Sequence, residues 1–521
     1  MRPFLASCLG AACSAAIALP SAPDAAAVAV PGTGTGTVIG TGTVTGTANG
    51  NVTRTSTNVT RTRTRTSAGT RTSARTRTGA GPVARPPVPD PERTGPEGAD
   101  PERTGELPGS TQSLLVPALD APLPQSTDRD TASAPTPRAL GLPPRTVRPF
   151  SLLGVVWDDA RAELGARVQV RTRATGSHVW SGWQDVQAHN DDAPDPGAAE
   201  RRDSAVRGST APLWVGDSDA VQLRITPEPG HRGPVAVPRG LRLELVDPGH
   251  RPGADGSTDR NTDRGARTDP PVPLGPEATA SSAANSKFVP LGATEIPAAD
   301  RAAAQADLAA VGGSHPDRTA VGPRPRIITR AGWGADEKLR EKTFLYNKTV
   351  RAAFVHHSGS GNNYTCAQAP SLIRAMYRFH VKSNHWRDIG YNFLVDKCGT
   401  VYEGRAGGVA KPVMGAHTLG FNDASTGIAV LGTFTESEPP KPAIDAISRL
   451  TSWKLGLYGV DPRAKIQLLS SGSNRYPKGA KVRMNTLSGH RDGFTTDCPG
   501  AHLYSKLAAA RLTAAQLQGR R

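Results

Sequence analysis

Three short stretches carry residue types that hold a borderline-soft metal ion: His356-His357, Gly489-His490 and Thr496-Asp497-Cys498-Pro499. Neutral imidazole and thiolate are zinc ligands, and three protein ligands with a fourth position left for water describe a catalytic zinc site. The two adjacent histidines end an apolar run from Ala352 that reads as a buried strand. Neighbours in a strand face opposite ways, so one of them reaches an ion while the other packs or hydrogen-bonds. His490 and Cys498 flank a loop containing Gly and Pro, so both can converge on one ion. Taken singly, each histidine reads by default as a buried structural residue.

The elements that must position these groups lie between Arg324 and Ala514, where the composition becomes that of a globular enzyme. After the strand Ala352 to His357 comes a helix with Leu372, Ile373, Met376, Tyr377 and His380 on one face. Strands follow at 391–395, 400–403 and 428–431, then a helix from Pro442 to Gly459 and a last one over 501–517. The fold class expected is α/β, with a mixed central sheet packed by helices, over residues 321–517.

The rest of the 521-residue chain divides by composition. Residues 1–29, with Arg2 the only charge before Asp24 and an apolar, small-residue run from Phe4, read as a cleaved signal peptide. That run is short and Ala-rich for a membrane span, and no later segment could span one. Residues 30–145 are Gly/Thr-, then Thr/Arg-, then Pro-rich, and read as a disordered tail and linker. Over 146–248 the runs Leu152–Trp157, 168–173, 220–225 and 241–245 read as strands of a sandwich-like all-β accessory domain. Its Trp157, Trp180, Trp183 and Trp214 either fill the core or stack on sugars. Residues 249–320 read as a second linker with a short helix near 302–310.

The net charge of +16 allows attraction either to nucleic acid or to an anionic cell envelope. No nucleic-acid-binding signature is present, and with an export signal the envelope reading is favoured. Removal of the signal takes Cys8 and Cys13, leaving Cys366, Cys398 and Cys498: one disulfide and one thiol with another task.

Ordered matches over 324–514 carry a specific resemblance. They are Arg330-Ala331-Gly332-Trp333-Gly334-Ala335, Phe354-Val355-His356-His357-Ser358, Asp388-Ile389-Gly390-Tyr391-Asn392-Phe393, Val401-Tyr402-Glu403-Gly404-Arg405, Gly415-Ala416-His417, Thr426-Gly427-Ile428-Ala429, Gly489-His490-Arg491 and Thr496-Asp497-Cys498-Pro499-Gly500. The segment resembles the peptidoglycan recognition protein / type 2 N-acetylmuramoyl-L-alanine amidase family.

The resemblance implies roles. His356, His490 and Cys498 would be ligands of Zn2+, and Tyr391 the catalytic tyrosine. Thr496 stands where phage-type amidases have lysine and catalytic recognition proteins often have threonine, and would be the second catalytic residue, orienting the water or donating to the tetrahedral intermediate. Cys366 and Cys398 would form the disulfide. Trp386 resembles the position where members choosing diaminopimelate-type stems carry Trp, although His385 replaces their usual Gly. Arg405 would contact a stem-peptide carboxylate or form a surface ion pair, and His417 would line the groove. The substrate implied is bacterial peptidoglycan, at the amide between the lactyl group of N-acetylmuramic acid and L-alanine. The alternative is a peptidoglycan-binding wall protein that does not cut. The protein is expected to be secreted, cell-wall associated and monomeric.

Overall fold

In a computed structural model of the chain, the structure describes residues 108–117, 140–187, 192–202, 206–227, 237–250, 273–311 and 320–521. All lie in one compact unit, Gly95–Arg521. The expected signal peptide and Thr/Arg tail lie outside the described residues. No helix among the described residues is long and apolar enough to cross a membrane.

The accessory domain is all-β. Its strands are β1 (Ser110–Leu115), β2 (Leu140–Trp157), β3 (Ala166–Ala174), β4 (Gln184–Val186), β5 (Gly208–Ser209), β6 (Leu213–Pro227) and β7 (Arg242–Asp247), with a one-turn helix α1 (Ala199–Arg202) between β4 and β5. They form one antiparallel sheet ordered β1-β7-β2-β6-β3-β4, with β5 beside β2. Register shifts along β2 and β6 bend these long strands. Alternation sorts β2 into two apolar sets. Leu153, Val155 and Trp157 enter the domain's own core, while Leu152 and Val156 join a cluster with the neighbouring domain. Trp157 fills the core and Trp214 the interdomain cluster. Trp180 and Trp183 are half-buried, with Arg171 over both rings and Arg224 over Trp183.

The α/β domain begins earlier than composition indicates. Within the expected second linker, α2 (Pro276–Ala283), β8 (Glu295–Ile296), α3 (Arg301–Ala304) and α4 (Leu308–Val311) are ordered. They are followed by β9 (Ile327–Ile328), β10 (Ala352–His357), α5 (Ala369–Arg378), β11 (Phe393–Val395), β12 (Val401–Glu403), β13 (Ser425–Val430), α6 (Lys441–Gly456), β14 (Lys465–Leu469), β15 (Lys481–Asn485), β16 (Leu487–Gly489) and α7 (Ala501–Leu517). The sheet order is β16-β10-β13-β11-β12-β9-β8. It is mixed: β10 runs parallel to β13 and β16, and β11 antiparallel to β12. On one face, Val355, Ile428 and Val395 pack on Ile447, Leu450 and Trp453 of α6 and Leu503 and Leu507 of α7. On the other, Leu394 and Ala429 pack on Leu372, Ile373 and Met376 of α5. The Cys366–Cys398 disulfide, with Cα atoms 6.2 Å apart, ties the turn before α5 to the β11–β12 hairpin. A loop of that span stabilises by about 3–4 kcal/mol in the chain-entropy view.

Two boundaries therefore change. β1 was expected in the Pro-rich linker, yet it pairs with β7 over its whole length. The segment from 276 was expected to be linker, yet β8 pairs with β9. Asn285 also donates to Glu403 Oε1 at 2.9 Å and accepts from Val409 N at 2.9 Å, all buried.

Burial pushes the Glu403 carboxyl up to about 7, against the opposing effects of Asn285 and Arg330. Between its ordinary value and about 7, the folded chain holds a proton that the unfolded chain has lost, so stability falls as pH rises through that window. Glu403→Gln should remove this pH-dependent decline, on the order of 3 kcal/mol, whatever the substitution does to the absolute stability, because both carboxyl oxygens accept from buried donors, Asn285 Nδ2 and Arg330 N, and Gln offers one acceptor. Urea midpoints at pH 4.5, 6 and 8 check it; a decline of equal size in both chains would contradict it.

Candidate metal centre

β10 lies between β13 and β16, with all six residues buried. Val355 faces α6 and α7, so His356 points to the opposite side by strand alternation. β16 pairs in parallel with β10, Val355 opposite Gly489, and this places His490 beside His356 with ring centroids 4.6 Å apart. Cys498 arrives on the loop before α7. Its amide donates to Thr496 Oγ1 at 3.1 Å, and its carbonyl accepts from Arg491 N at 3.0 Å. Donor atoms of His356, His490 and Cys498 all lie within 4.8 Å of one another, and all three residues are buried.

The second of the paired histidines takes a different role: Phe434 N donates to His357 Nδ1 at 3.2 Å. His356 Nδ1 lies 3.7 Å from Cys498 Sγ. Its Nε2 lies 3.2 Å from His417 Nδ1 and 3.3 Å from Thr418 Oγ1, which fix the ring. Burial pulls the His356 pKa down to about 3 and lowers those of His490 and His417 as well. All three imidazoles are thus held neutral, the form that ligates a metal. Both ring nitrogens of His490 make no hydrogen bond among the described residues. Two neutral imidazoles and a thiolate, with neither ring nitrogen of His490 held in a hydrogen bond, fit a zinc ion.

The other expected site residues divide. Tyr391 reaches the centre, its ring 5.5 Å from that of His356. Thr496 shapes the loop through the Cys498 amide. His417 does not line a groove: it has no exposed surface and stands behind His356. Trp386 is 3% exposed and stacks on His380, ring centroids 4.5 Å apart. His385, where Gly was the expected residue, has φ +60°, the left-handed region that favours glycine. Arg405 is buried rather than on the surface and forms a two-pronged pair with Glu200, at 2.8 and 3.0 Å.

Glu200 belongs to the accessory domain, as does a carboxylate that sequence reasoning missed. Asp192 Oδ1 lies 3.1 Å from His356 Nδ1 and 3.4 Å from His490 Nδ1. Asp192 Oδ2 accepts from the Tyr391 hydroxyl at 2.6 Å. The only available signal was the acidic run from Asp191 to Asp195 in a turn-rich stretch between strands, a pattern that ordinarily marks a solvated loop.

Two family models match the chain. One, described as N-acetylmuramoyl-L-alanine amidase, covers residues 346–501. The other, described as Rv3811 N-terminal galactose-binding domain-like, covers residues 110–254. Peptidoglycan-recognition protein SC2 of Drosophila melanogaster is 30% identical over 181 residues, 35% of this chain and 84% of that protein. Peptidoglycan recognition protein 3 of Homo sapiens is 36% identical over 126 residues, 24% of this chain and 35% of that protein. Among solved structures, wild-type Drosophila PGRP-LB is 28% identical, covers 35% of this chain and 93% of its own, and has a TM-score of 0.29.

Proposed function

The chain belongs to the peptidoglycan recognition protein / type 2 N-acetylmuramoyl-L-alanine amidase family, and from that premise we propose that it is a zinc-dependent amidase. Its substrate is the amide joining the lactyl group of N-acetylmuramic acid to L-alanine in bacterial peptidoglycan. The convergence of His356, His490 and Cys498 is the observation that carries this reading. A pure receptor needs no buried thiolate beside two neutral imidazoles.

His356, His490 and Cys498 would hold the metal. A bound zinc ion supplies Lewis acidity, which makes a nucleophilic water available near neutral pH and polarises the scissile carbonyl. His417 and Thr418 hold His356 at Nε2, and the Thr496 hydroxyl holds Cys498 through its amide. Both act as supports that keep the ligands in place. The Tyr391 hydroxyl, beside His356, donates to the substrate oxygen as negative charge gathers there. Arg405, at the end of the Val401–Arg405 stretch, binds a stem-peptide carboxylate, and Trp386 favours diaminopimelate-type stems. The protein works as a monomer outside the cell at the wall, where the Cys366–Cys398 disulfide is stable.

The test is metal analysis of the full chain, with incubation on purified peptidoglycan and labelling of new L-alanine amino termini. About one zinc per chain and new termini are expected, both lost in Cys498→Ala. A zinc-free chain that sediments with the wall and never cuts it would replace the amidase reading by the binding one.

A further inference from the structure

Asp192 is one end of a longer contact. Asn422 Nδ2 donates to the Ala193 carbonyl at 2.9 Å and to Asp195 Oδ1 at 2.7 Å, and Gly420 N donates to the same carboxylate at 2.8 Å. Further along, Glu200 takes both Arg405 prongs and the amide of Arg387, the latter at 3.0 Å. Ala193 and Val206 pack against Trp386 and Ala416. One stretch of the accessory domain thus engages two of the metal ligands, His356 and His490, together with Tyr391, Trp386 and Arg405, the groups assigned above to the substrate.

The chemistry at each point matches what a substrate would offer. The Asp192 carboxylate places one oxygen toward the ligand nitrogens and the other on the Tyr391 hydroxyl. The lactyl carboxylate released by hydrolysis of the amide would make the same two-point contact. Glu200 supplies Arg405 with the carboxylate that a stem peptide would supply. The space left over is small. The cavity at the centre, lined by Asp192, Gln187 and residues 209–212 of the accessory domain with His357, Tyr391, His490 and Cys498, measures about 30 Å3. That admits a water or two, not a muramyl peptide.

We propose that the Asp192–Arg202 segment is a built-in pseudosubstrate, and that the enzyme is latent until this strap is displaced. Asp192 blocks the metal centre and Glu200 the stem-peptide site; the inference rests on the amidase reading for what is blocked. Displacement exchanges internal carboxylates for those of the wall polymer, so cutting depends on a substrate able to compete for Tyr391 and Arg405 together. A ligand shifts such an equilibrium only by its differential affinity for the open state.

The experiment uses the full chain, Asp192→Ala, the near-isosteric Asp192→Asn, and Asp185→Asn as a control at an exposed ion pair of the same domain. Two quantities are read: new L-alanine termini from peptidoglycan, and the rate at which iodoacetamide labels Cys498 in the metal-stripped chain, located by peptide mass. Both Asp192 variants should gain at least about tenfold in each, with the control unchanged. Faster labelling with no cutting by any chain would uphold the strap and overturn the amidase reading. Unchanged labelling would overturn the strap. Loss of cutting with a shifted pH profile would also overturn it, making Asp192 part of the catalytic machinery instead.

Discussion

His490→Ala should leave the chain without stoichiometric zinc and lower turnover by more than about a thousandfold. The side chain has no exposed surface, and its ring nitrogens make no hydrogen bond among the described residues, so a ligand role accounts for its place in the core. Its removal leaves one imidazole and one thiolate, too few for a catalytic zinc site. Tyr391→Phe is the informative partner. Its hydroxyl meets the centre without belonging to the ligand set, so the metal should stay at about one per chain. Turnover should still fall about a hundredfold, the usual loss for one donor to a developing oxyanion. Both are best measured in the Asp192→Ala chain, where the strap does not mask the chemistry. Equal zinc loss in the two variants would make Tyr391 a ligand and contradict the assignment.

Arg330→Met should cost about 3–5 kcal/mol of stability, the penalty for breaking a buried ion network by removing one partner. Arg330 is 1% exposed. Its Nε donates to Glu337 at 2.7 Å, and its Nη1 to Asp388 at 3.1 Å and to the Gly404 carbonyl at 2.6 Å. The guanidinium also lies over the rings of Trp333 and Tyr377, at 5.2 and 4.9 Å. Without it Glu337 retains Arg340, but Asp388 loses its cation. Asp388 also accepts from Ile389 N and Ala406 N, and so shapes the turn that presents Tyr391. The variant should therefore lose activity beyond its loss of folded fraction. Denaturant midpoints and turnover below the transition separate the two effects; a drop under about 1 kcal/mol would show that the network contributes little.

How much of this was readable in advance follows from how local each signal is. The strand Ala352–His357 stands as its apolar run indicates, and helix 501–517 begins and ends where its sequence does. Both are fixed by contiguous pattern. Strand alternation left either histidine as the ligand, and the parallel pairing of β10 with β16 brings His356 to His490. The short β8 and the Ala/Ser-rich α2 were hidden because small residues give no apolar period, and their order comes from docking on β9 and Glu403. Asp192 was out of reach for another reason. It meets Tyr391 across 199 residues of chain, and nothing near Asp192 in the sequence encodes that meeting.

The face of the accessory sheet turned to α5 bears on how far the two domains can be treated as separable parts. Leu152, Val156, Trp214 and Val246 share one apolar cluster with Leu372, Ile373, Met376 and Phe379. A Cβ added at Gly154 would come within 2.5 Å of the Phe379 ring. Arg374 of α5 donates to the carbonyls of Pro248 and Gly249 at 3.4 and 3.2 Å. Severing the chain in the 249–320 region would turn these side chains to water on both fragments, the kind of exposed patch that drives association. The pair should melt as one calorimetric peak, and recombining this β domain with an unrelated enzyme would transplant half of an interior rather than a detachable wall anchor.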